Sequence, residues 1–201
     1  MKIVQYTVNI GEYDKPRNDI TCITNIDMFK SNARNSRLPK ILVHKFIRAD
    51  VSVYWDANIF LKDGLNIEQV VNDYLGDCDI VVQKANVGRD CVYQEIEAAK
   101  TRVSTYSEID LLTDQAKYYR GIGFPEHCGT LAGYQPLIRR HNEIMRRFNE
   151  AWWAEMCRYS YRDQCSFPVV LSRFPDLKVK WIKEFADISF KEYRHKVKSL
   201  V

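Results

Sequence analysis

The chain has 201 residues, of which 46% are hydrophobic and 12% aromatic, enough apolar material for one well-packed domain. Its 30 lysines and arginines and 26 aspartates and glutamates leave a formal charge of +4, which suits a polyphosphate or sugar-phosphate ligand without requiring one. No run is apolar for long enough to span a bilayer, and the N-terminus lacks the apolar core of a signal peptide, so we expect a cytoplasmic protein without a membrane span.

Short runs rich in β-branched and aromatic residues predict strands in the first half of the chain, at residues 2–10, 20–24, 40–46, 51–55 and 79–84. Two helical patterns accompany them. One covers residues 66–76, with Asn66 as N-cap and Gly76 just past the end, and the other covers residues 89–102, with Asp90 as cap. Strands that alternate with helices indicate an α/β fold with a mostly parallel sheet.

The second half of the chain predicts another strand and a long helix. The stretch "LAGYQPLIRR" (131–140) is predicted as a strand whose glycine and proline suggest a bulge or a sheet edge. Apolar residues then recur at steps of three and four, which is typical of the buried face of a helix. They are Met145, Phe148, Trp152, Met156 and Tyr159.

The stretch "SVYWDANIFLK" (52–62) places an aspartate and an asparagine directly after a buried strand. Ligands of open α/β sheets bind at the carboxyl ends of the strands, so we expect Asp56 and Asn58 at a binding site. Two hard oxygen ligands suit Mg²⁺ or Mn²⁺, whose remaining positions would go to water and a diphosphate. Alone, the pattern is equally compatible with an ordinary turn, in which Asp and Asn bond to their own backbone.

Seven sequence blocks follow one another along residues 1 to about 172: "YTVNIGEYD", "TNID", "RLPKILVHKF", "YWDANIFLK", "VGRDCVYQEIEAAK", "LAGYQPLIRRHN" and "FNEAWWAEMCRYSYRDQCSFPVVL". In this order they resemble a family of glycosyltransferase-like proteins with a GT-A-like core, found in plants and microbes and formerly described as a domain of unknown function. The resemblance implies a nucleotide-diphospho-sugar transferase fold, an α/β/α sandwich with a mostly parallel sheet, over residues 1–175. Residues 176–201 would form a C-terminal extension packed on the same domain.

The resemblance also implies where a donor and a metal bind. Asp56 and Asn58 look like the counterpart of the family's metal-binding D-x-D, with Mn²⁺ or Mg²⁺ as the ion. The implied donor-binding residues lie at strand ends, in a basic pair and at a loop-to-helix junction; they are Tyr6, Asp14, Asp27, Arg37, Lys40, Arg89 and Glu95. The alternative for the basic pair is a solvated loop, and for the junction it is an N-cap with a surface salt bridge.

The stretch "RDQCSFP" (162–168) is the best candidate for chemistry. Ser166, with a proline two residues on, predicts a helix start that leaves Asp163 and Gln164 in the loop before it. An unpaired Asp163 would act as general base on an acceptor hydroxyl in an inverting enzyme, or hold donor-sugar hydroxyls in a retaining one, and Gln164 would add a hydrogen bond to the sugar. The alternative is an internal pair of Arg162 with Asp163, and Glu155 is the second-choice base.

The resemblance therefore implies a glycosyltransferase that moves a sugar from a nucleotide-sugar donor to a hydroxyl of a glycan, a protein or a modified nucleic acid. The alternative is a non-catalytic domain that binds a glycan or a nucleic acid through the basic patch Arg139, Arg140, Arg146 and Arg147 around His141. His141 is expected to be structural rather than a third metal ligand. A metal-dependent phosphoesterase would need a denser carboxylate cluster than D-x-N provides.

Overall fold

The computed structural model describes residues 1–12, 14–85, 88–102, 106–129, 131–133, 136–183, 185 and 187–191. The strands are β1 (Ile3–Val8), β2 (Thr21–Ile23), β3 (Val51–Tyr54), β4 (Ile59–Leu61), β5 (Ile80–Gln83), β6 (Leu137–Arg140), β7 (Val179–Ile182) and β8 (Ser189–Lys191). The α-helices are α1 (Asn32–Ile41), α2 (Val43–Phe46), α3 (Ile67–Leu75), α4 (Val92–Lys100), α5 (Tyr106–Gly121), α6 (Glu143–Arg158) and α7 (Asp163–Leu171). None of these helices combines the length and the apolar character needed to cross a bilayer.

Six strands form one sheet in the order β2-β1-β3-β6-β5-β7. The pairs β1–β2, β1–β3 and β5–β7 are parallel, whereas β6 runs antiparallel to both of its neighbours. The predicted α/β fold with a mostly parallel sheet is thus confirmed. The chain order reverses at β1, with β2 on one side and β3 on the other, and such a reversal leaves a crevice at the carboxyl ends of the strands.

Helices cover both faces of the sheet. On one face, Phe148 and Trp152 of α6 pack with Phe167 of α7 against the sheet residues Tyr54 and Leu137. On the other face, α3 packs its apolar side on residues of β3, β5 and β6. Burying each such side chain contributes about 1.5–3 kcal/mol, so the sandwich is held mainly by these two apolar layers.

Helix α3 begins and ends as the sequence predicts. Asn66 caps α3 by accepting a hydrogen bond from the Glu68 backbone N–H at 2.7 Å, and Gly76 follows the helix with φ +52°, a backbone conformation that favours glycine. The predicted apolar stripe of α6 also lies in the core, where Met145 and Phe148 have no exposed surface.

The predicted strand at residues 40–46 is wrong, because this stretch forms the end of α1 and the short helix α2. Leu38, Ile41 and Leu42 are buried at helical spacing, and Ser31 caps α1 by accepting a hydrogen bond from the Arg34 N–H at 3.3 Å. A short apolar run does not distinguish a buried strand from a buried helix, which explains the error.

The strand predicted at residues 131–140 is shorter in the structure, where only β6 (Leu137–Arg140) is a strand. It lies in the middle of the sheet rather than at its edge. Pro136 precedes the strand, so its missing N–H removes no ladder hydrogen bond.

The predicted cap of α4 is also wrong. The helix starts after Cys91 without a side-chain cap, and Asp90 pairs with His127 at 3.0 Å.

The C-terminal part of the described chain contributes one strand to each of the two sheets. Strand β7 lies beside β5 at the edge of the six-stranded sheet, and β8 pairs with β4 in a separate two-stranded antiparallel sheet. Phe60 of β4 and Phe190 of β8 stack with ring centroids 5.6 Å apart. The domain boundary predicted at residue 175 stays a prediction.

Candidate functional site

A cavity of about 640 Å³ lies at the carboxyl ends of β1 and β3, where the strand order reverses. We refer to it as the large cavity. Its polar lining combines two carboxylates, three amides, a hydroxyl of α1, a tyrosine and two cations. These residues are Asp14, Asp56, Asn9, Asn32, Asn58, Ser36, Tyr54, Arg37 and Lys191. A pocket of about 300–1,000 Å³ with a few convergent polar groups is the usual form of a small-molecule site.

The D-x-N segment forms the wall that follows β3. Tyr54 donates its hydroxyl hydrogen to Asp56 Oδ1 at 3.0 Å, and the Ile59 backbone N–H donates to the Asp56 carbonyl at 2.8 Å, which closes a tight turn. Burial, and then the neighbouring Asp56 carboxylate, raises the pKa of Tyr54 well above its usual range. The phenol therefore stays protonated and keeps donating to Asp56.

The opposite wall is the first half of α1. Asn32, Ser36 and Arg37 line the cavity, and the N-terminal turn of the helix faces the same space. Gly11 lies against this wall with φ +71°, and a Cβ at this position would come 2.3 Å from Asn32 Nδ2. Only glycine combines this backbone conformation with the close approach of the Asn32 side chain.

A second cavity of about 100 Å³ adjoins the first, and Arg37 and Asp56 line both. We refer to it as the small cavity. Its other charged and amide residues are Lys40, Arg162, Asp163 and Gln164. Gln164 donates its amide N–H to the Ala132 carbonyl at 3.2 Å. The two cavities therefore form a continuous polar cleft with the arginine and the aspartate at their junction.

Asp163 is the centre of an ion-pair cluster in the small cavity. Its carboxylate lies 2.5 Å from Lys40 Nζ and 3.5 Å from Arg37 Nε. Burial acts to raise the pKa of Asp163, but Lys40 and Arg37 outweigh it and hold that pKa well below its usual range. Burial likewise acts to lower the pKa of Arg37, and the Asp163 carboxylate with its neighbours raises it instead.

The predicted loop around Asp163 is wrong in two respects. Asp163 is the first residue of α7 rather than part of a loop, and it is ion-paired rather than unpaired. Trp152 Nε1 and Ser166 Oγ both donate to the Asp163 carbonyl at 3.1 Å, so Ser166 bonds back to the first turn instead of beginning the helix. A carboxylate with so low a pKa is poorly matched to general-base work near neutral pH.

The residues at the large cavity fit a divalent cation that is bound together with a ligand. Asp56 and Asn58 both line it and supply hard oxygen donors, and Asp14 contributes a further carboxylate to the lining. Among the described residues, no group of three His, Cys, Asp or Glu side chains could hold a metal. Mg²⁺ often binds through one or two carboxylates with substrate phosphates and water completing its shell, so this sparse donor set is sufficient only with a phosphate ligand present.

Several predicted donor contacts lie away from both cavities. Tyr6 is fully buried in the core, where its hydroxyl donates to the Lys40 carbonyl at 3.1 Å and accepts from Arg139 at 2.6 Å. Asp27 is exposed and lines neither cavity. Arg89 and Glu95 form an ion pair at 2.9 Å. The structure thus does not bring these four residues to the large or the small cavity, whereas Asp14, Arg37 and Lys40 do line the cleft.

Glu155, the second-choice base, pairs with Arg173 at 3.0 Å and lines neither cavity.

The four arginines of the predicted basic patch do not form one exposed surface. Arg139 has no exposed surface and donates to the Ile41 and Lys40 carbonyls, and Arg140 donates to the Cys78 and Gly76 carbonyls. Only two of the four arginines, at positions 146 and 147, are exposed, so the surface required by the binding-domain alternative is much smaller than predicted.

Sequence reasoning missed several residues that line the cleft: Asn9, Asn32, Ser36, Tyr54 and Lys191. Tyr54 could have been found, because it precedes Asp56 by two residues and alternation along a strand places both side chains on one face. Lys191 could not, since it reaches the cavity through the pairing of β8 with β4, which are far apart in the sequence.

Two comparisons with known proteins found a match, one with a family and one with a solved structure. A family model, the TOD1/MUCI70, glycosyltransferase-like domain, matches residues 19–199. A solved structure of the WbbM bifunctional glycosyltransferase in its apo form is similar over 98% of this chain and 46% of that chain, with a TM-score of 0.51 and 10% sequence identity. At that identity the likeness shows a shared fold alone, and the present chain spans less than half of that protein. No curated protein matches the chain.

Proposed function

Because the chain belongs to the TOD1/MUCI70 glycosyltransferase-like domain family, we propose that it is a nucleotide-sugar-dependent glycosyltransferase of the GT-A type. It transfers a sugar from a nucleotide-sugar donor to a hydroxyl of a glycan, a protein or a modified nucleic acid, with the help of Mg²⁺ or Mn²⁺. The observation that carries this proposal is the junction of the two cavities, where Arg37 and Asp56 face both spaces.

The large cavity would hold the nucleotide of the donor. Its position at the carboxyl ends of β1 and β3 is where open α/β sheets bind nucleotides. The N-terminal turn of α1 faces this space and favours negative charge, so it supports a diphosphate next to Arg37. Asp14 and the amides of the lining offer partners for ribose and base hydrogen bonds.

The diphosphate would lie at the junction. Asp56 and Asn58 would hold the divalent cation, which supplies charge stabilisation for the leaving nucleoside diphosphate. Tyr54 donates to one oxygen of Asp56 and so fixes the carboxylate at this junction. Arg37 also lines both cavities and would donate to phosphate oxygens, a pairing for which the guanidinium is well suited.

The small cavity would hold the transferred sugar and the attacking hydroxyl. Lys40, Arg37 and Asp163 form a fixed ion-pair cluster there, and fixed charges stabilise developing charge without reorganisation. We assign Asp163 to positioning the two cations and to accepting hydrogen bonds from sugar hydroxyls, and Gln164 to a neighbouring sugar contact. The low pKa of Asp163 disfavours a role as the base.

A donor screen tests this function. Purified protein is incubated with each common nucleotide sugar with Mn²⁺, Mg²⁺ or a chelator, and the released nucleoside diphosphate is measured. We expect one donor to be turned over, with turnover lost in the chelator. Arg37→Gln should lower that turnover by about 100-fold, the cost of removing one preorganised donor to a developing charge.

The matched control is Arg147→Gln, which removes the same charge from an exposed position on α6 that lines neither cavity. Turnover in this variant should equal that of the wild type. The proposal fails if no nucleotide sugar is turned over, or if both variants lose activity equally.

A further inference from the structure

A further cavity, which we call the distal cavity, lies at the opposite ends of the central strands from the candidate active site. It has a volume of about 360 Å³ and is lined by Lys2, His44, Ile47, Arg48, Ala49, Asp50, His141 and Arg146. Lys2 and Asp50 precede β1 and β3, and His141 follows β6, which runs the other way. These positions place the cavity at the amino ends of the parallel strands, whereas the large cavity lies at their carboxyl ends.

The rim of the distal cavity is fixed by main-chain hydrogen bonds. The His141 N–H donates to the Asp50 carbonyl at 2.9 Å, and the Asp50 N–H donates to the Lys2 carbonyl at 2.9 Å. The Lys2 N–H donates to Asp50 Oδ2 at 2.6 Å. These bonds tie the starts of two strands to the end of a third, so the lining residues are held on rigid elements rather than on a long loop.

The lining carries an excess of positive charge. Lys2, Arg48 and Arg146 are exposed at its rim, and none of them forms an ion pair with a residue that the structure describes. The single carboxylate of the lining, Asp50, already accepts the Lys2 main-chain hydrogen bond. Three cations that line one cavity and form no ion pair with a described residue are suited to bind an anion.

One side chain of the lining is also incompletely satisfied. His141 Nε2 is shielded from solvent and has no hydrogen-bond partner in the described structure. A buried polar group without a partner is costly, and it usually has one when its ligand is bound. An anion held by Arg48 and Arg146 would lie close to this imidazole, which lines the same cavity.

We propose that the distal cavity binds a phosphoryl group, carried by a small phosphate monoester. Several cations and an imidazole suit a dianion better than a carboxylate, because the doubly charged group has three acceptor oxygens to share among them. The volume is at the lower end of small-molecule sites, which fits a small phosphorylated ligand, and Asp50 offers an acceptor for a hydroxyl of its carrier. This site is independent of the transferase chemistry and stands whether or not the proposed function is correct.

The imidazole of His141 provides a local signal for this binding. Burial, and then Arg139, His44 and Arg146, lower its pKa to about 4, while Asp50 acts to raise it. Burial lowers the pKa of the neighbouring His44, which Glu150 acts to raise and Lys45 and Arg139 act to lower. A bound phosphate carries negative charge at every pH at which His141 titrates and so favours the imidazolium form, and its binding should raise this pKa by about one pH unit or more.

The experiment follows the imidazole resonances of the four histidines by NMR as inorganic phosphate is added, with sodium chloride at equal ionic strength as the reference. His141→Gln assigns the His141 resonance, and the exposed His127 serves as an internal control. We expect a saturable shift of the His141 resonance and a raised pKa with phosphate but not with chloride.

Two variants separate a built site from a diffuse surface charge. Arg146→Gln should weaken phosphate binding by about tenfold, the loss of one charge-assisted hydrogen bond. Arg147→Gln removes the same charge from the adjacent exposed position outside the cavity and should leave binding unchanged. The proposal is overturned if the His141 resonance does not respond saturably to phosphate, or if the two variants weaken the response equally.

Discussion

Tyr54 and Asp163 determine the charge pattern of the cleft at the scale of single residues. The protonated phenol of Tyr54 orients Asp56, and the buried carboxylate of Asp163 holds Lys40 and Arg37 in place. The sequence indicated Asp56 and Asn58 because a short polar motif interrupts an apolar run, and Asp163 because it precedes a predicted helix start. It could not show which charges meet, since Lys40 and Asp163 belong to helices that are distant along the chain.

Tyr54→Phe tests whether the hydrogen bond to Asp56 matters for metal use. The ring and its packing remain, so we expect a loss of only about 1 kcal/mol of unfolding free energy. Mn²⁺-dependent turnover of the donor should fall about tenfold or more, and more Mn²⁺ should be needed for half-maximal rate, as with other groups that orient a metal ligand. Tyr74→Phe, whose ring packs on Phe185 away from both cavities, should match the wild type. Equal metal dependence in Tyr54→Phe and the wild type would remove this role.

Asp163→Asn tests the buried ion-pair cluster through its dependence on pH. The pKa of Asp163 is lowered in the folded state, so its contribution to stability is present above the unfolded value of about 4 and is lost as pH falls below it. The variant leaves two cations without their carboxylate and should lose about 3 kcal/mol or more at pH 7. In urea titrations, the difference between wild type and variant should shrink as pH falls from about 4 to 2.

The control for this pH series is Asp176→Asn, because Asp176 is exposed and forms no ion pair with a described residue. Its unfolding free energy should follow that of the wild type across the range. A stability difference for Asp163→Asn that stays constant between pH 7 and 2 would contradict the ion-pair account.

At the scale of elements, helix α1 shapes the cleft more than any strand does. It presents its first turn to the large cavity and ends at Lys40 and Ile41, and Arg34 donates to Glu108 at 3.0 Å and to the Tyr159 carbonyl at 2.9 Å. The sequence predicted the buried strands β1, β3 and β5 from their β-branched composition. It mistook the end of α1 for a strand, because the apolar residues of that stretch pack on the sheet in either conformation.

Gly11→Ala tests the contact between α1 and the turn after β1. The new Cβ would displace the Asn32 side chain from the cavity wall, and the positive φ adds a cost of about 1–2 kcal/mol. Gly64→Ala is the matched control, since Gly64 has φ +79° but nothing within 4 Å of a Cβ. We expect a larger loss of stability in Gly11→Ala, where the contact with Asn32 adds to the cost of the positive φ, and a weaker affinity for the nucleoside diphosphate in Gly11→Ala alone, measured by calorimetry. Unchanged affinity in Gly11→Ala would show that Asn32 does not contact the ligand.

For the whole molecule, topology accounts for the position of the site. The reversal of strand order at β1 opens the crevice, and β8 pairs with β4 and brings Lys191 to the large cavity. The sequence predicted the α/β class and the D-x-N loop at a strand end, since both depend on local patterns. It did not predict the long-range pairings. The resemblance implied Tyr6, Asp27, Arg89 and Glu95 as donor-binding residues, and these four residues do not line either cavity.

The measurement that tests the central claim most directly is a thermal-shift series with nucleoside diphosphates and nucleotide sugars, with and without Mn²⁺. It compares the wild type with Asp56→Ala and with Asp63→Ala, an exposed aspartate that lines neither cavity. We predict that one nucleotide with Mn²⁺ raises the Tm of the wild type and of Asp63→Ala by about 5–10 °C at a hundredfold excess over Kd. Asp56→Ala should lose this shift. A wild type that responds to no nucleotide, or a shift that persists without Mn²⁺ and in Asp56→Ala, would contradict a metal-assisted donor site in the large cavity.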